Sequence, residues 1–239
     1  GLDPDDGSDA KIDSDGDGLT NLEEYRYNIS ASVKGTWEGG TDPRNPDSDL
    51  DKMMDGWEVD HNLNPQNSSD KRLDPDNDGV VFTVNNVTLD VDFFNQKEYQ
   101  AQTDPNDPDS DGDGMLDGWE DFFNLFPLSP IDAEKDNDGD GLLNSWEFLN
   151  GTNPSNNDTD SDGLEDLIEL TTYNTDPLLR DTDQDGMPDG WEVGYGLDPL
   201  DGNDAYMDGD DDELANWREY YHNTDPYNHD TDSDKMPDG

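Results

Sequence analysis

The sequence contains no cysteine, so no disulfide can brace it. Basic residues are few, 12 Lys and Arg against 64 Asp and Glu, and the resulting charge of −52 excludes nucleic acid as a partner. Apolar residues are scarce as well: they make up 28% of the 239 residues, and the mean hydropathy is −1.17. That is too little apolar surface to offset the conformational entropy of ordering so long a chain around one ordinary core, and by composition alone the chain reads as disordered. No apolar run approaches about 18 residues and no charged, apolar leader is present, so the sequence is expected neither to span a membrane nor to contain a signal peptide. The remaining source of stability is a cation, provided the carboxylates are placed to bind one.

Their placement is periodic. From Asp13 to Glu24 the chain reads Asp-Ser-Asp-Gly-Asp-Gly-Leu-Thr-Asn-Leu-Glu-Glu, with carboxylates at positions 1, 3, 5 and 12, glycine at 6 and Asn at 9. This is the spacing of an EF-hand calcium loop. The same twelve-residue frame starts at Asp47, Asp109, Asp136, Asp158, Asp181 and Asp208 and ends at Glu58, Glu120, Glu147, Glu169, Glu192 and Glu219. Two frames are irregular. One opens with Asp74, Asp76, Asp78 and Gly79 and is interrupted; its end is found at Asn95 to Glu98, because Asn95 to Tyr99 followed by Thr103-Asp104-Pro105 parallels Asn144 to Phe148 followed by Thr152-Asn153-Pro154. The intervening residues 81–94 alternate like a β-hairpin around Asn85-Asn86. The other irregular frame opens at Asp230 and runs to Gly239. In all, 40 of the 64 acidic residues fall at positions 1, 3, 5, 9 or 12, whereas charge serving only solubility would be scattered.

With an insertion at 29–40 and the hairpin set aside, start-to-start spacings alternate between 22 and 27, with one extra of 23. Two module types follow. One reads Asp-Gly-Trp-Glu at positions 9 to 12 (Asp55 to Glu58, Asp117 to Glu120, Asp189 to Glu192); the other has Asn at 9 and an aromatic after the terminal Glu (Tyr25, Tyr99, Phe148, Tyr220).

The run Asp-x-Asp-x-Asp-Gly-x-x-Asp-x-x-Glu preceded by Thr-Asp-Pro resembles the thrombospondin type 3 repeat in its prokaryotic, cysteine-free form, and the resemblance covers essentially the whole chain. It implies an array of about nine or more calcium ions in an extracellular spacer. It also implies the ligands, with position 7 contributing its backbone carbonyl. In the first frames these are Asp13, Asp15, Asp17, Leu19, Asn21 and Glu24; Asp47, Asp49, Asp51, Met53, Asp55 and Glu58; and Asp74, Asp76, Asp78, Val80, Asn95 and Glu98. Next come Asp109, Asp111, Asp113, Met115, Asp117 and Glu120; Asp136, Asp138, Asp140, Leu142, Asn144 and Glu147; and Asp158, Asp160, Asp162, Leu164, Asp166 and Glu169. The last are Asp181, Asp183, Asp185, Met187, Asp189 and Glu192; Asp208, Asp210, Asp212, Leu214, Asn216 and Glu219; and Asp230, Asp232, Asp234, Met236 and Asp238.

The chemistry agrees. Calcium takes six to eight hard oxygens in a loose geometry. A soft-metal site has no thiols here and only His61, His222 and His229, none in a pair at ligand spacing. Magnesium could compete at some sites but prefers fewer protein oxygens. Lys52, Glu213 and Lys235 replace glycine at position 6, where a Cβ costs on the order of 1 kcal/mol in left-handed backbone, so these frames should bind more weakly or with help from neighbours. The interrupted frame must bring Glu98 back across a hairpin to Asp74. Asp42, Asp104, Asp176 and Asp225, each in Thr-Asp-Pro, have two readings: a turn, or a share in a second ion between modules. Nine divalent ions would leave a charge of −34, which makes more than nine reasonable.

The expected fold is a small irregular repeat, a solenoid-like rod over 1–239, of tandem half EF-hands with short helices, one inserted hairpin and little other regular structure. Position 7 is apolar in every frame, so its side chain is free to build core. Residues after position 8 should form one or two helical turns, as from Leu142 to Asn150 with Gly151 as the stop. Proline before each loop leaves no room for an entering helix. Trp57, Trp119, Trp146 and Trp191 at position 11 are expected to cover the loops as small cores rather than form a carbohydrate platform. Sequons at Asn28, Asn67, Asn86, Asn150 and Asn157 are possible glycosylation sites.

No Cys or His nucleophile arrangement and no phosphate-cradling loop points to an enzyme. The expected function is a calcium-stabilised extracellular stalk, spacer or fibre component; the alternative is an adhesive or carbohydrate-binding module presented by the inserted loops. The first ten residues match Gly196 to Ala205 and the last ten match Asp181 to Gly190. Partners are therefore expected to be flanking repeats or neighbouring subunits of a fibre.

Overall fold

The computed structural model describes residues 7–26 and 40–239; the insertion at 29–40, except Gly40, and the sequon at Asn28 lie outside the described residues. Among the described residues, regular structure consists of short helices and one two-stranded antiparallel hairpin, β1 (Val80–Val84) and β2 (Val87–Val91). The helices are α1 (21–26), α2 (Asp55–Asp60), α3 (Asn95–Ala101), α4 (Asp117–Phe122), α5 (Asn144–Asn150), α6 (Asp166–Ile168), α7 (Asp189–Tyr195) and α8 (Asn216–His222). Each begins at position 9 of a frame. The carbonyl of position 8 accepts the N–H of position 12, as in Glu58 to Met54 (3.0 Å) and Glu192 to Pro188 (3.1 Å), which turns the terminal glutamate back over its own loop.

Stops follow within two turns. Gln102, Gly151, Asn174, Gly196 and Asn223 take left-handed backbone. The next N–H can then return to the carbonyl of the terminal glutamate, as Thr103 does to Glu98 and Leu197 to Glu192. The single 23-residue spacing has a local cause. After Glu169 the stop comes five residues on, at Asn174, where Gly151 is four after Glu147, and Glu169–Tyr173 widens into a π turn that absorbs the extra residue.

Described residues fall into two compact units, one within Gly1–Val80 and Val91–Pro130, the other within Val81–Asp90 and Ile131–Gly239. In both, core is made at position 7: Met53, Met115 and Met187 are fully buried, and Leu19, Val80, Leu142, Leu164 and Leu214 nearly so. Met236 departs from the pattern and is 65% exposed. In the first unit Trp57 packs edge-on against Tyr99 (5.1 Å between centroids), and Trp119 is buried beside Phe123. In the second, Trp191 meets Tyr220 (5.4 Å). Trp57 and Trp191 thus pack on the aromatic that follows the terminal Glu of the next module. Trp146, in Asn-Ser-Trp-Glu rather than Asp-Gly-Trp-Glu, departs from the expected small core and is 58% exposed.

Asn85 (φ 49°) and Asn86 (φ 61°) make the tight turn of the hairpin. The Asn85 N–H donates to the Leu178 carbonyl (2.7 Å), its Nδ2 to the Asp160 carbonyl (2.9 Å), and its Oδ1 accepts the Arg180 N–H (3.0 Å). No helix among the described residues is long and apolar enough to cross a membrane.

Candidate metal centres

Each loop is organised around its first carboxylate. In the frame at Asp109, Oδ1 accepts the N–H of Gly112 (2.9 Å) and Oδ2 that of Gly114 (3.0 Å), while Asp113 accepts the N–H of Met115 (2.9 Å). The pattern recurs at Asp158 and Asp162, where Gly163 and Leu164 donate, and at Asp181 and Asp185, where Gly186 and Met187 donate. The N–H of position 9 closes the ring on the residue before position 1, as Asp189 does on Arg180 and Asn144 on Lys135.

This winding needs left-handed backbone twice. At position 6, Gly18, Gly114, Gly141, Gly163 and Gly186 supply it, and Lys52 (φ 82°), Glu213 (80°) and Lys235 (79°) adopt it despite their Cβ. Position 4 is left-handed in every frame, although only Gly16, Gly112 and Gly139 are glycine there; Leu50, Asn77, Ser161, Gln184, Asp211 and Ser233 take the same backbone. That second turn was invisible in the composition of the position. The interrupted frame differs at Gly79, whose φ is not positive because the chain leaves there for β1. It is nevertheless closed: the Asn95 N–H bonds to the Leu73 carbonyl (3.0 Å), and Asp76, Asp78 and Asp74 act on a fully buried Glu98.

The terminal glutamates carry the strongest electrostatic signal. All eight, Glu24, Glu58, Glu98, Glu120, Glu147, Glu169, Glu192 and Glu219, are 0% exposed. Both Oε atoms of Glu58, Glu98, Glu147, Glu192 and Glu219 accept no hydrogen bond from any described residue. Burial, and after it the loop aspartates, pushes Glu58, Glu98, Glu169 and Glu192 up to about 9, Glu147 to about 8, and Glu24 and Glu219 to about 7. Asp160 rises to about 8 for the same reasons, burial first and then the charges of Asp162 and Asp158. Buried carboxylates among carboxylates, without donors, are an oxygen-only cavity of high negative charge: the donor set suits a hard divalent cation.

Position 9 joins one module to the one before it. At Asp55, Asp117, Asp166 and Asp189 its two oxygens accept the N–H and O–H of position 2, as Asp55 does from Ser48 (2.8 and 2.6 Å) and Asp189 from Thr182 (2.9 and 2.6 Å). So held, Asp55 stands within 4.8 Å of Asp17 and Glu24 of the preceding frame. Asp166 likewise acts on Glu147, Asp189 on Asp160, and Asp238 on Glu219. Asp238, which belongs by register to the frame at Asp230, thus acts on the terminal glutamate of the frame at Asp208. At position 10, Gly118 donates to Asp78 Oδ2, Gly190 to Asp162 Oδ2 and Gly239 to Asp212 Oδ2. A Cβ at Gly56, Gly118, Gly190 or Gly239 would overlap the carbonyl of Asp17, Asp78, Asp162 or Asp212, respectively.

Where position 9 is Asn, its Nδ2 holds the carbonyl of an aspartate that opens a short 3-10 turn: Asn21 to Asp9, Asn95 to Asp70, Asn144 to Asp132, Asn216 to Asp204. The Oδ1 atoms of these asparagines are buried and accept no hydrogen bond from a described residue. These three-residue turns lie within the five additional residues of the 27-residue spacing. Sequence reasoning passed over their aspartates, although an Asp four residues ahead of each regular Asn-type frame was there to be read. Asp104, Asp176 and Asp225 form turns, each accepting the N–H two residues on (3.1, 3.1 and 3.0 Å). The buried member of Thr-Asp-Pro is its threonine: Thr103 and Thr175 are at most 5% exposed, and Thr175 Oγ1 donates to Glu169. Of the sequons, Asn67, Asn86 and Asn157 are exposed, whereas Asn150 donates its amide to the Trp146 carbonyl (2.7 Å).

No curated protein and no solved structure matches the chain. Residues 13–27, 136–157, 158–179 and 181–202 match the bacterial TSP3 repeat family, each segment beginning at position 1 of a frame, and the chain at these segments is built of bacterial thrombospondin type 3 repeats.

Proposed function

We propose that this chain is a calcium-stabilised structural repeat segment, serving outside the cell as a stalk, spacer or fibre component rather than as an enzyme. Positions 1, 3, 5, 9 and 12 of each frame, with the carbonyl of position 7, would hold the ions. The observation that supports the reading best is that Glu58, Glu98, Glu147, Glu192 and Glu219 are fully buried while their carboxylate oxygens accept no hydrogen bond from a described residue. Leaving such groups charged and unpaired costs several kcal/mol each, and a divalent ion supplies the missing partner. An extracellular setting fits because calcium modules of that kind bind at roughly 0.1 to 1 mM, above what a cytosol offers. Flanking repeats or neighbouring subunits are the partners such an array would have, and exposed Asn67, Asn86 and Asn157 would accept glycans.

Chelation tests the proposal. Adding EDTA to the calcium-loaded chain should remove most of the helical circular dichroism and enlarge the hydrodynamic radius. Unchanged values of both would refute it.

A further inference from the structure

Asp70 and Asp204 lie outside every twelve-residue frame, yet they are 4% and 6% exposed. One oxygen of each is tied locally: Asp70 Oδ2 accepts the Asn64 N–H and Asp204 Oδ2 the Asp198 N–H, both at 2.9 Å. The other oxygen, Oδ1, is buried and accepts no hydrogen bond from a described residue. The backbone of each is fixed from the following frame, by Asn95 Nδ2 on the Asp70 carbonyl and Asn216 Nδ2 on the Asp204 carbonyl, both at 2.8 Å. A side chain clamped at backbone and at one oxygen has its second oxygen aimed by construction.

The target is the preceding frame. Asp49, Asp51, Glu58 and Asp70 each bring a carboxylate oxygen within 4.8 Å of the others. In that group both oxygens of Asp49, Oδ2 of Asp51, both oxygens of Glu58 and Oδ1 of Asp70 are buried without a hydrogen-bond donor. The segment leading into Asp204 stands against the corresponding residues of the frame at Asp181: a Cβ at Gly202, two residues before Asp204, would lie 3.3 Å from Asp185 Cβ and 3.6 Å from Asp183 Cγ. Across the shorter junctions the equivalent carboxylate is the position-9 aspartate of the next module, as Asp55 is to Asp17 and Glu24. Asp at position 9 and Asn at position 9 are therefore two solutions to one problem. The former reaches back itself; the latter holds a 3-10 turn whose aspartate reaches back.

Resting on the calcium reading above, we propose that Asp70 and Asp204 are metal ligands, donated across the module boundary to complete the sites of the frames at Asp47 and Asp181. Each of these sites would then be shared by two consecutive modules, and the ion would act as the joint between them.

The test uses the full chain with D70N and D204N, which keep an acceptor for the Asn64 and Asp198 N–H and remove the charge. Calcium is counted by native mass spectrometry and titrated with Tb3+ luminescence, for which Trp57 and Trp191 stand next to Glu58 and Glu192 in sequence. Each variant should lose one ion, or bind it at least tenfold more weakly, while the remaining ions stay. Crystals of the unaltered chain grown in calcium should show an ion about 2.3–2.6 Å from Asp70 Oδ1 and from Asp204 Oδ1, a result that does not depend on the variants folding. If the unaltered chain binds no calcium, the functional reading itself fails. If it binds calcium and D70N and D204N bind as many ions as tightly, or the ions lie beyond reach of both Oδ1 atoms, the inference alone is overturned.

Discussion

Two glycines on one short helix show how residue type is dictated by close approach. Gly190 and Gly194 both lie in α7, but an added Cβ would overlap the Asp162 carbonyl at Gly190 and meet nothing within 4 Å at Gly194. Gly190→Ala should therefore destabilise the calcium-loaded chain by about 1–3 kcal/mol, the usual cost of overpacking. Gly194→Ala should stabilise it by about 0.5–1 kcal/mol, since glycine is a poor helix former. Urea unfolding in saturating calcium measures both, and equal effects would show that the approach of Gly190 to Asp162 is unimportant. The Asp-Gly pair of Asp-Gly-Trp-Glu was legible in the sequence as a pattern but not as a reason. Its aspartate is read correctly as acidic and in register, yet register alone places it in its own loop, and only folding reveals that Asp55 also faces Asp17 and Glu24 of the loop before. Position 4 was illegible for another cause: backbone handedness is enforced there by the hydrogen bonds to position 1, so Leu50 and Gln184 accept dihedrals that their side chains do not advertise.

At the scale of elements, spacing proved the most informative quantity. Helix onset at position 9, the αL stop at Gly151 and the Asn85-Asn86 turn all follow from local chemistry and could be read directly. The alternation of 22 and 27 could be counted but not interpreted, because a three-residue 3-10 turn such as Asp204–Tyr206 has no periodicity to betray it. The spacing of 23 is explained by the π turn at Glu169–Tyr173, whose extra residue lies between a fixed glutamate and a fixed Thr-Asp-Pro turn. Deleting exposed Thr172 should convert this turn to ordinary α-helix and restore the commoner spacing. The ion count by native mass spectrometry should be unchanged and the melting temperature in calcium unchanged or higher. Loss of an ion on deletion would mean that the π turn shapes the site and is more than an accommodated insertion.

For the molecule as a whole, the balance of 64 acidic against 12 basic residues is set against a core drawn largely from one apolar position per module. Burying a side chain such as Met53 or Leu142 contributes about 1.5–3 kcal/mol, too little to oppose both chain entropy and the confinement of like charges. The sign of the pH dependence follows. In the folded, metal-free chain burial, and after it the loop aspartates, pushes Glu58, Glu98, Glu169 and Glu192 up to about 9 and Glu147 up to about 8, above the ordinary 4.5. A raised carboxylate stabilises the fold fully below its unfolded value, and that contribution is lost as pH rises through the window up to the folded value. Without metal, then, the chain should be most ordered near pH 4 to 5 and should lose structure progressively toward pH 9. With calcium the dependence inverts, since the ion requires the deprotonated ligands and displaces their protons, so acidification should release calcium and lower the thermal stability of the loaded form. Circular dichroism from pH 4.5 to 9, in EDTA and in excess calcium, should therefore give two curves of opposite slope. Parallel curves, or a metal-free chain more ordered at pH 9 than at pH 5, would show that protons and calcium do not compete for these glutamates and that something other than the cation offsets their charge.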